Sequence, residues 1–189
     1  MSTLKIAVIL GSTRPGRRGK GVADWVMEHA KGRPDADYEL IDLLDYPLPH
    51  IDEPMPPSFG QYAGEHTKAW AEKIGGFDGY VFITPEYNHS ISGVLKNAID
   101  YVYGEWNDKA AALVAYGTVG GTRAVEQLRG ILSAVKIAHV HQQLPFSVFT
   151  DFDEEGNFTP HERNQPAVAV MFDQVESWSR ALATVRDPA

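Results

Sequence analysis

Apolar positions fall into two rhythms along this chain. Leu4 to Leu10 is unbroken apart from Lys5 and stops at Gly11, the pattern of a strand covered on both faces. Gly79 to Ile83 and Ala110 to Tyr116 read the same way, and Tyr38 to Leu44 is a weaker version interrupted by Glu39 and Asp42. A fifth run, Ile137 to Leu144, alternates His139, His141 and Gln143 with apolar neighbours, as an edge or half-buried strand does. Between these runs the spacing becomes helical, over Gly21 to Lys31, Gln61 to Ile74, Gly93 to Tyr103 and Thr122 to Val135. Ala167 to Val185 is the clearest helix, with Val168, Met171, Phe172, Val175, Trp178, Leu182 and Val185 at three-and-four spacing and Pro166 at its start. Short buried strands alternating with helices predict βαβ crossovers, hence a doubly wound α/β fold with a five-stranded parallel sheet and helices on both faces. Tyr46 to Pro57 holds five prolines, and Phe149 to Pro160 has turn chemistry around Asp153 to Asn157. Both are expected to be surface loops.

Length and composition then narrow the function. A chain of 189 residues, 43% apolar and 22% charged, reads as one folded domain over residues 1–189. Seventeen Lys and Arg against 25 Asp and Glu leave a formal charge of −8, which argues against nucleic acid and anionic membrane as partners. The chain has no cysteine, so thiolate nucleophiles, iron–sulfur clusters and dithiol relays are excluded, and redox chemistry requires a bound cofactor. The first apolar run is too short for a signal segment or a membrane span, and a cytoplasmic protein is expected. No metal site is expected. The single histidine of Pro49 to Glu53 lies in a proline-rich solvated loop, and His139 and His141 lack a third ligand, so a structural or interface role is expected of them. No G-x-S-x-G elbow is present to anchor hydrolase chemistry.

In an open parallel sheet a ligand lies beyond the C-terminal ends of the strands, which directs attention to three loops. The first, Gly11 to Gly21 (GSTRPGRRGKG), gathers hydroxyls, backbone amides and cations at a helix start, a combination that holds an anion. It places Arg17-Arg18 where a triphosphatase loop carries Lys-Ser/Thr, and Thr13 where a dinucleotide fingerprint carries its second glycine. The second, Thr84 to Gly93, packs Tyr87, Asn88 and His89 at the apex of a turn whose following helix Ser92 is placed to cap. Their amides and ring faces suit a flat heteroaromatic ligand. The third, Gly117 to Arg123, carries three glycines that permit close backbone approach, with Thr122 as the expected helix cap.

The segments GSTRPGR and PEYNHSISGVLKNAIDY resemble the NAD(P)H-dependent FMN reductase family of the flavodoxin-like superfamily, over roughly Leu4 to Phe146. The resemblance implies FMN as cofactor, NADPH or NADH as co-substrate, and phosphate contacts from Ser12, Arg14 and Arg17 with Gly19 close behind. It implies that Pro85, Glu86, Tyr87 and Asn88 lie along the isoalloxazine ring, and that Gly117, Thr118, Gly120 and Gly121 meet its far edge. Arg17 stands where many relatives carry Ser or Thr, and the stretch after Phe146 carries no chemistry of the family. The activity implied is hydride transfer from NAD(P)H through the flavin to a small acceptor such as a quinone, free FMN, an azo compound or a metal oxyanion. Ping-pong kinetics are expected, with no obligatory catalytic side chain. A flavodoxin-type electron carrier is the alternative, disfavoured because Arg14 and Arg17 put charge where carriers use neutral hydroxyls. A non-redox scaffold is a second alternative, which the intact loops argue against. A homodimer or homotetramer is expected from the wide apolar stripe on Gly93 to Tyr103 and from Tyr103 and Trp106 beyond it, with Tyr46 to Pro57 reaching over a neighbouring flavin.

Overall fold

The computed structural model describes residues 3–186. Its strands are β1 (Leu4–Leu10), β2 (Ala36–Asp42), β3 (Gly79–Pro85), β4 (Lys109–Gly117) and β5 (Ile137–Ser147). All neighbours pair in parallel, in the order β2-β1-β3-β4-β5. Five helices connect and cover them: α1 (Gly19–Ala30), α2 (Glu65–Gly75), α3 (Gly93–Asp100), α4 (Thr122–Ala134) and α5 (Asn164–Arg186). The period-two alternation of strand side chains divides the core into two layers. Ile6, Val8, Val81, Ile83 and Val114 face α1 and α5, whereas Ala7, Ile9, Phe82 and Leu113 face α2, α3 and α4. Strands buried on both faces explain why β1, β3 and β4 read as continuous apolar runs. The chain leaves β1 for β2 on one side and returns to β3 on the other, so strand order switches at β1 and β3, where the fold leaves a crevice.

Several boundaries differ from the sequence reading, each for a local reason. β2 ends at Asp42, whose carboxylate accepts from the Leu44 amide at 3.0 Å and starts a single 3₁₀ turn over Leu43–Asp45. α2 begins at Glu65 rather than Gln61, because Glu53 binds the preceding amides of Ala63 and Gly64 at 2.7 and 2.9 Å. α4 is preceded by Gly121 in a left-handed conformation, so Thr122 is its first residue and not its cap; the Thr122 hydroxyl instead donates back to the Val119 carbonyl at 3.3 Å. Trp178 and Val185, part of the apolar spacing that marks the last helix, are about half exposed on α5 at 47% and 56%. β5 carries an irregularity that alternation did not foretell: Ala111 pairs with His139 and Leu113 with Gln143. The Arg129 side chain bonds His139 Nδ1 at 2.6 Å and the Val140 carbonyl at 3.1 Å, which gives these residues a structural role.

The aromatic surplus after α3 is explained within one chain. α3 stops at Asp100, and Trp106 returns in a 3₁₀ turn to full burial, with its ring centroid 4.9 Å from that of Tyr80 and 6.0 Å from that of Phe82. Its indole N–H donates to the Ile99 carbonyl at 3.0 Å, and Tyr101 and Val102 are buried beside it. Trp106 therefore gives no support to an interface. The proline-rich segment likewise lies against its own chain, with Asn97 donating to the Pro49 carbonyl at 2.7 Å and Tyr101 to Asp52 at 3.0 Å.

Candidate active site

The loops that follow β1, β3, β4 and β5 enclose a cleft of about 440 Å³ at the C-terminal edge of the sheet, within the roughly 300–1,000 Å³ of small-molecule sites. The β1 loop departs sharply. The Gly11 amide donates to the Ile83 carbonyl at 2.8 Å, and a Cβ on Gly11 would lie 2.9 Å from that oxygen and from Leu95 Cδ2, so only glycine lets the loop lie this close to β3 and α3.

The three arginines of this loop all line the cleft but have different partners. Arg17 forms a two-pronged ion pair with Asp42, one prong at 2.8 Å, and also donates to the Ser12 carbonyl; the side chains of Arg17 and Asp42 are only 11% and 16% exposed. Arg18 donates to the Val148 carbonyl at 3.2 Å and stands over the Phe152 ring, 5.2 Å from its centre. Arg14 is exposed and makes no side-chain hydrogen bond or ion pair among the described residues. α1 then starts with no side-chain cap and no carboxylate in its first turn. With neither cap nor carboxylate, this helix start suits an anion. Ser12 is buried with its hydroxyl unpartnered, a polar group of the kind a ligand oxygen completes. Gly19 packs under Tyr116, where a Cβ would lie 2.6 Å from the phenol oxygen, and burial pushes that phenol up to about 12.

Opposite stands the β3 loop. Pro85 ends the strand, with its carbonyl held by Thr84 Oγ1 at 2.9 Å. Tyr87 and Ser90 exchange backbone hydrogen bonds of 2.9 and 3.0 Å around a two-residue turn in which Asn88 and His89 have φ of 50° and 69°. Two consecutive non-glycine residues in this region store strain, a feature that concentrates at functional sites. Glu86 connects this loop to the next. Its amide donates to the Tyr116 carbonyl at 2.9 Å, and its nearly buried carboxylate accepts from the amide of Arg123 at 3.1 Å and from the Arg123 guanidinium at 2.9 Å.

In the β4 loop, Gly117 and Thr118 line the cleft. Gly121 has φ of 71° and its Cβ would meet the Tyr116 amide nitrogen at 2.8 Å, while Gly120 lies against Pro145. These two glycines shape the turn from beneath. The fourth side comes from residues after β5. The Val148 amide donates to the Gly117 carbonyl at 3.0 Å, and buried Asp151 holds the loop by accepting from the Ser147 amide at 2.8 Å and from Asn164 at 3.3 Å.

Of the twelve residues singled out in the sequence, Arg14, Arg17, Pro85, Glu86, Tyr87, Gly117 and Thr118 line the cleft. Ser12 and Gly19 lie beneath its β1 side, Asn88 sits at the turn apex, and Gly120 and Gly121 support the β4 loop. Gly16, Arg18, Tyr116 and Val148 also line it. Arg18 and Tyr116 adjoin residues already marked. Val148 had no local signal, because its position follows from the pairing of β5 with β4. Among the described residues no three His, Cys, Asp or Glu are grouped to hold a metal ion, and no helix is long and apolar enough to cross a membrane.

The chain matches the family described as NADPH-dependent FMN reductase over residues 4–151. It is 44% identical over 156 residues to an NAD(P)H-dependent FMN reductase of a Nectria species, covering 78% of each chain. It is 29% identical over 186 residues to a 2-hydroxy-1,4-benzoquinone reductase of a Burkholderia species, covering 94% of this chain and 97% of that one. Among solved structures, the flavoenzyme NAD(P)H:(acceptor) oxidoreductase FerB from Paracoccus denitrificans superposes with a TM-score of 0.71 at 25% identity, covering 95% and 98% of the two chains. Sequence match, sheet order and the loops around the cleft agree, and the chain belongs to the NADPH-dependent FMN reductase family.

Proposed function

We propose that the cleft binds FMN and that the protein oxidises NAD(P)H to reduce a small acceptor of the quinone or free-flavin class. The observation that carries this reading is the pairing, at one cleft, of an uncapped helix start beside Ser12 and Arg14 with the opposing wall of Pro85 to Tyr87. The α1 amides, the Ser12 hydroxyl and Arg14 suit a terminal phosphate, and the backbone of Pro85 to Asn88 and of Gly117 to Thr118 suits the two sides of a planar ring. Bound there, FMN would supply the two-electron redox chemistry between the nicotinamide and the acceptor. The protein binds, orients and shields; no side chain of the cleft is assigned an acid or base role. Donor and acceptor use the same open side of the cleft and take turns, so steady-state lines stay parallel as acceptor is varied.

Anaerobic addition of NADPH to the purified protein tests this reading. A yellow protein that bleaches without a partner supports it; one that bleaches only with a protein reductase present moves it to the electron-carrier class. We also propose a cytoplasmic protein, since the proposed reaction draws on the NAD(P)H of the cell interior. We further propose a homodimer. Half-exposed Leu44 and Val94 border an apolar groove of about 260 Å³ between the segment 43–48 and α3, a surface suited to a second copy. Light scattering at twice the 20.9 kDa chain mass supports this, and a single-chain mass overturns it.

A further inference from the structure

Phe149 is 74% exposed, the largest exposure of any large apolar side chain among the described residues. Its backbone is nonetheless fixed. The Phe149 amide donates to Ser147 Oγ at 3.2 Å, Ser147 Oγ donates to the Thr118 carbonyl at 3.4 Å, and the preceding Val148 amide is bound to Gly117. Asp151, 2% exposed, accepts from the Ser147 amide at 2.8 Å and from Thr150 Oγ1 at 3.1 Å. Val119, 45% exposed, follows Thr118 in the same way that Phe149 follows Val148. Two apolar side chains thus stand one residue beyond a pair of cross-linked loops whose inner residues, Thr118 and Val148, line the cleft. Neither Gly117 to Gly120 nor Ser147 to Thr150 contains an ionisable side chain. An aromatic ring left in water, on an anchored residue whose neighbour lines a cleft, gains free energy when a flat apolar molecule covers it.

We infer that Phe149, seconded by Val119, seats the electron acceptor and sets a preference for planar aromatic quinones over acceptors that cannot stack. The inference rests on the flavin-reductase reading above. The overall step balances as NAD(P)H plus one proton plus quinone giving NAD(P)⁺ plus hydroquinone, with the nicotinamide oxidised by two electrons and the second proton drawn from solvent.

The test uses the FMN-loaded protein with 1,4-naphthoquinone. In equilibrium dialysis and in steady-state assays, Phe149→Ala weakens naphthoquinone binding and raises its KM by about two- to tenfold, the worth of one aromatic contact. kcat changes less than KM, Phe149→Tyr restores both values, and the KM for ferricyanide, an inorganic acceptor with no ring to stack, does not follow. Naphthoquinone binding and KM unchanged in Phe149→Ala, or ferricyanide affected equally, would overturn the inference while anaerobic bleaching by NADPH leaves the flavin-reductase reading intact. Wild-type protein that fails to bleach would overturn both.

Discussion

Replacing Arg14 by alanine and, separately, Arg17 by alanine removes the same charge from the same loop, yet the two variants should fail differently. Arg14 has no side-chain partner among the described residues, so its guanidinium is free for the phosphate of the proposed FMN and its loss leaves no buried charge behind. A hydrogen bond to a charged group contributes about 1.5–3 kcal/mol, so Arg14→Ala should weaken FMN binding about tenfold to a hundredfold with unfolding free energy unchanged. Arg17 is bonded to Asp42 and to the Ser12 carbonyl in a part-buried site. Its removal strands a carboxylate that is 16% exposed and already committed to the Leu44 amide, for which about 1–3 kcal/mol of stability is expected, below the cost of a fully buried broken pair. Asp42→Ala should lose a similar amount, and the double variant less than the sum, since the two share one interaction. Fluorescence titration of apoprotein with FMN reads the first effect and urea unfolding reads the second. Equal losses of FMN affinity in Arg14→Ala and Arg17→Ala, with stability untouched in the latter, would refute this division of labour.

Three further outcomes are expected. Gly121→Ala forces a left-handed φ of 71° onto a residue whose Cβ would lie 2.8 Å from the Tyr116 amide nitrogen and should cost about 2–4 kcal/mol in urea unfolding, whereas Gly16→Ala, at φ of 66° with open space around it, should cost about 1 kcal/mol. Trp106→Ala should destabilise by about 3–5 kcal/mol, by emptying the space between Tyr80 and Phe82. Burial, and then the nearby Arg186, drive the Lys109 ammonium from 10.5 down to about 8, so above pH 8 the unfolded chain holds more protons and stability should rise, by about 2–3 kcal/mol towards pH 10. Above pH 10 the tyrosines reverse the sign, since Tyr101 and Tyr116, raised to about 12 chiefly by burial, keep their protons longer when folded. Lys109→Met should flatten the rise without affecting the fall.

How far the sequence speaks for the structure depends on whether each feature is local. The strands β1, β3 and β4 are legible because burial on both faces removes every polar residue but those at their ends. The capping role of Ser92 is legible because cap and bonded amide are three residues apart, and the structure shows Ser92 Oγ accepting from Leu95 at 3.2 Å. The Arg17–Asp42 pair is not legible, since its partners are joined only when β2 lies beside β1 and brings Asp42 level with Leu10. Trp106 misleads for the same reason. It follows a helix with a wide apolar stripe and reads as surplus, until α2, β3 and the end of α3 close around it. The stretch after Phe146 reads as empty of chemistry because its contribution is positional. Val148 reaches the cleft through its backbone bond to Gly117 and through the loop that Asp151 holds, which a motif does not encode.

The direction in which a phosphate-bearing ligand lies follows from how the helix starts at this edge of the sheet are finished. The start of α3 is closed by Ser92, so an anion there would have to displace an internal hydrogen bond. The start of α4 is closed by Glu86, whose carboxylate takes the Arg123 amide; an anion there would meet a negative charge already in the position it needs. The start of α1 has neither a side-chain cap nor a carboxylate in its first turn, and it adjoins the buried hydroxyl of Ser12. The proposed FMN phosphate is therefore expected at α1 and not at α4, although both helices begin within the same group of loops. With its phosphate at that end, the proposed ligand would run from α1 toward the β3 and β4 loops, across the place where strand order switches. The Glu86 contact that closes α4 also joins those two loops, so on the proposed reading one side chain would both keep the anion from the wrong helix and hold together the walls on either side of the planar ring.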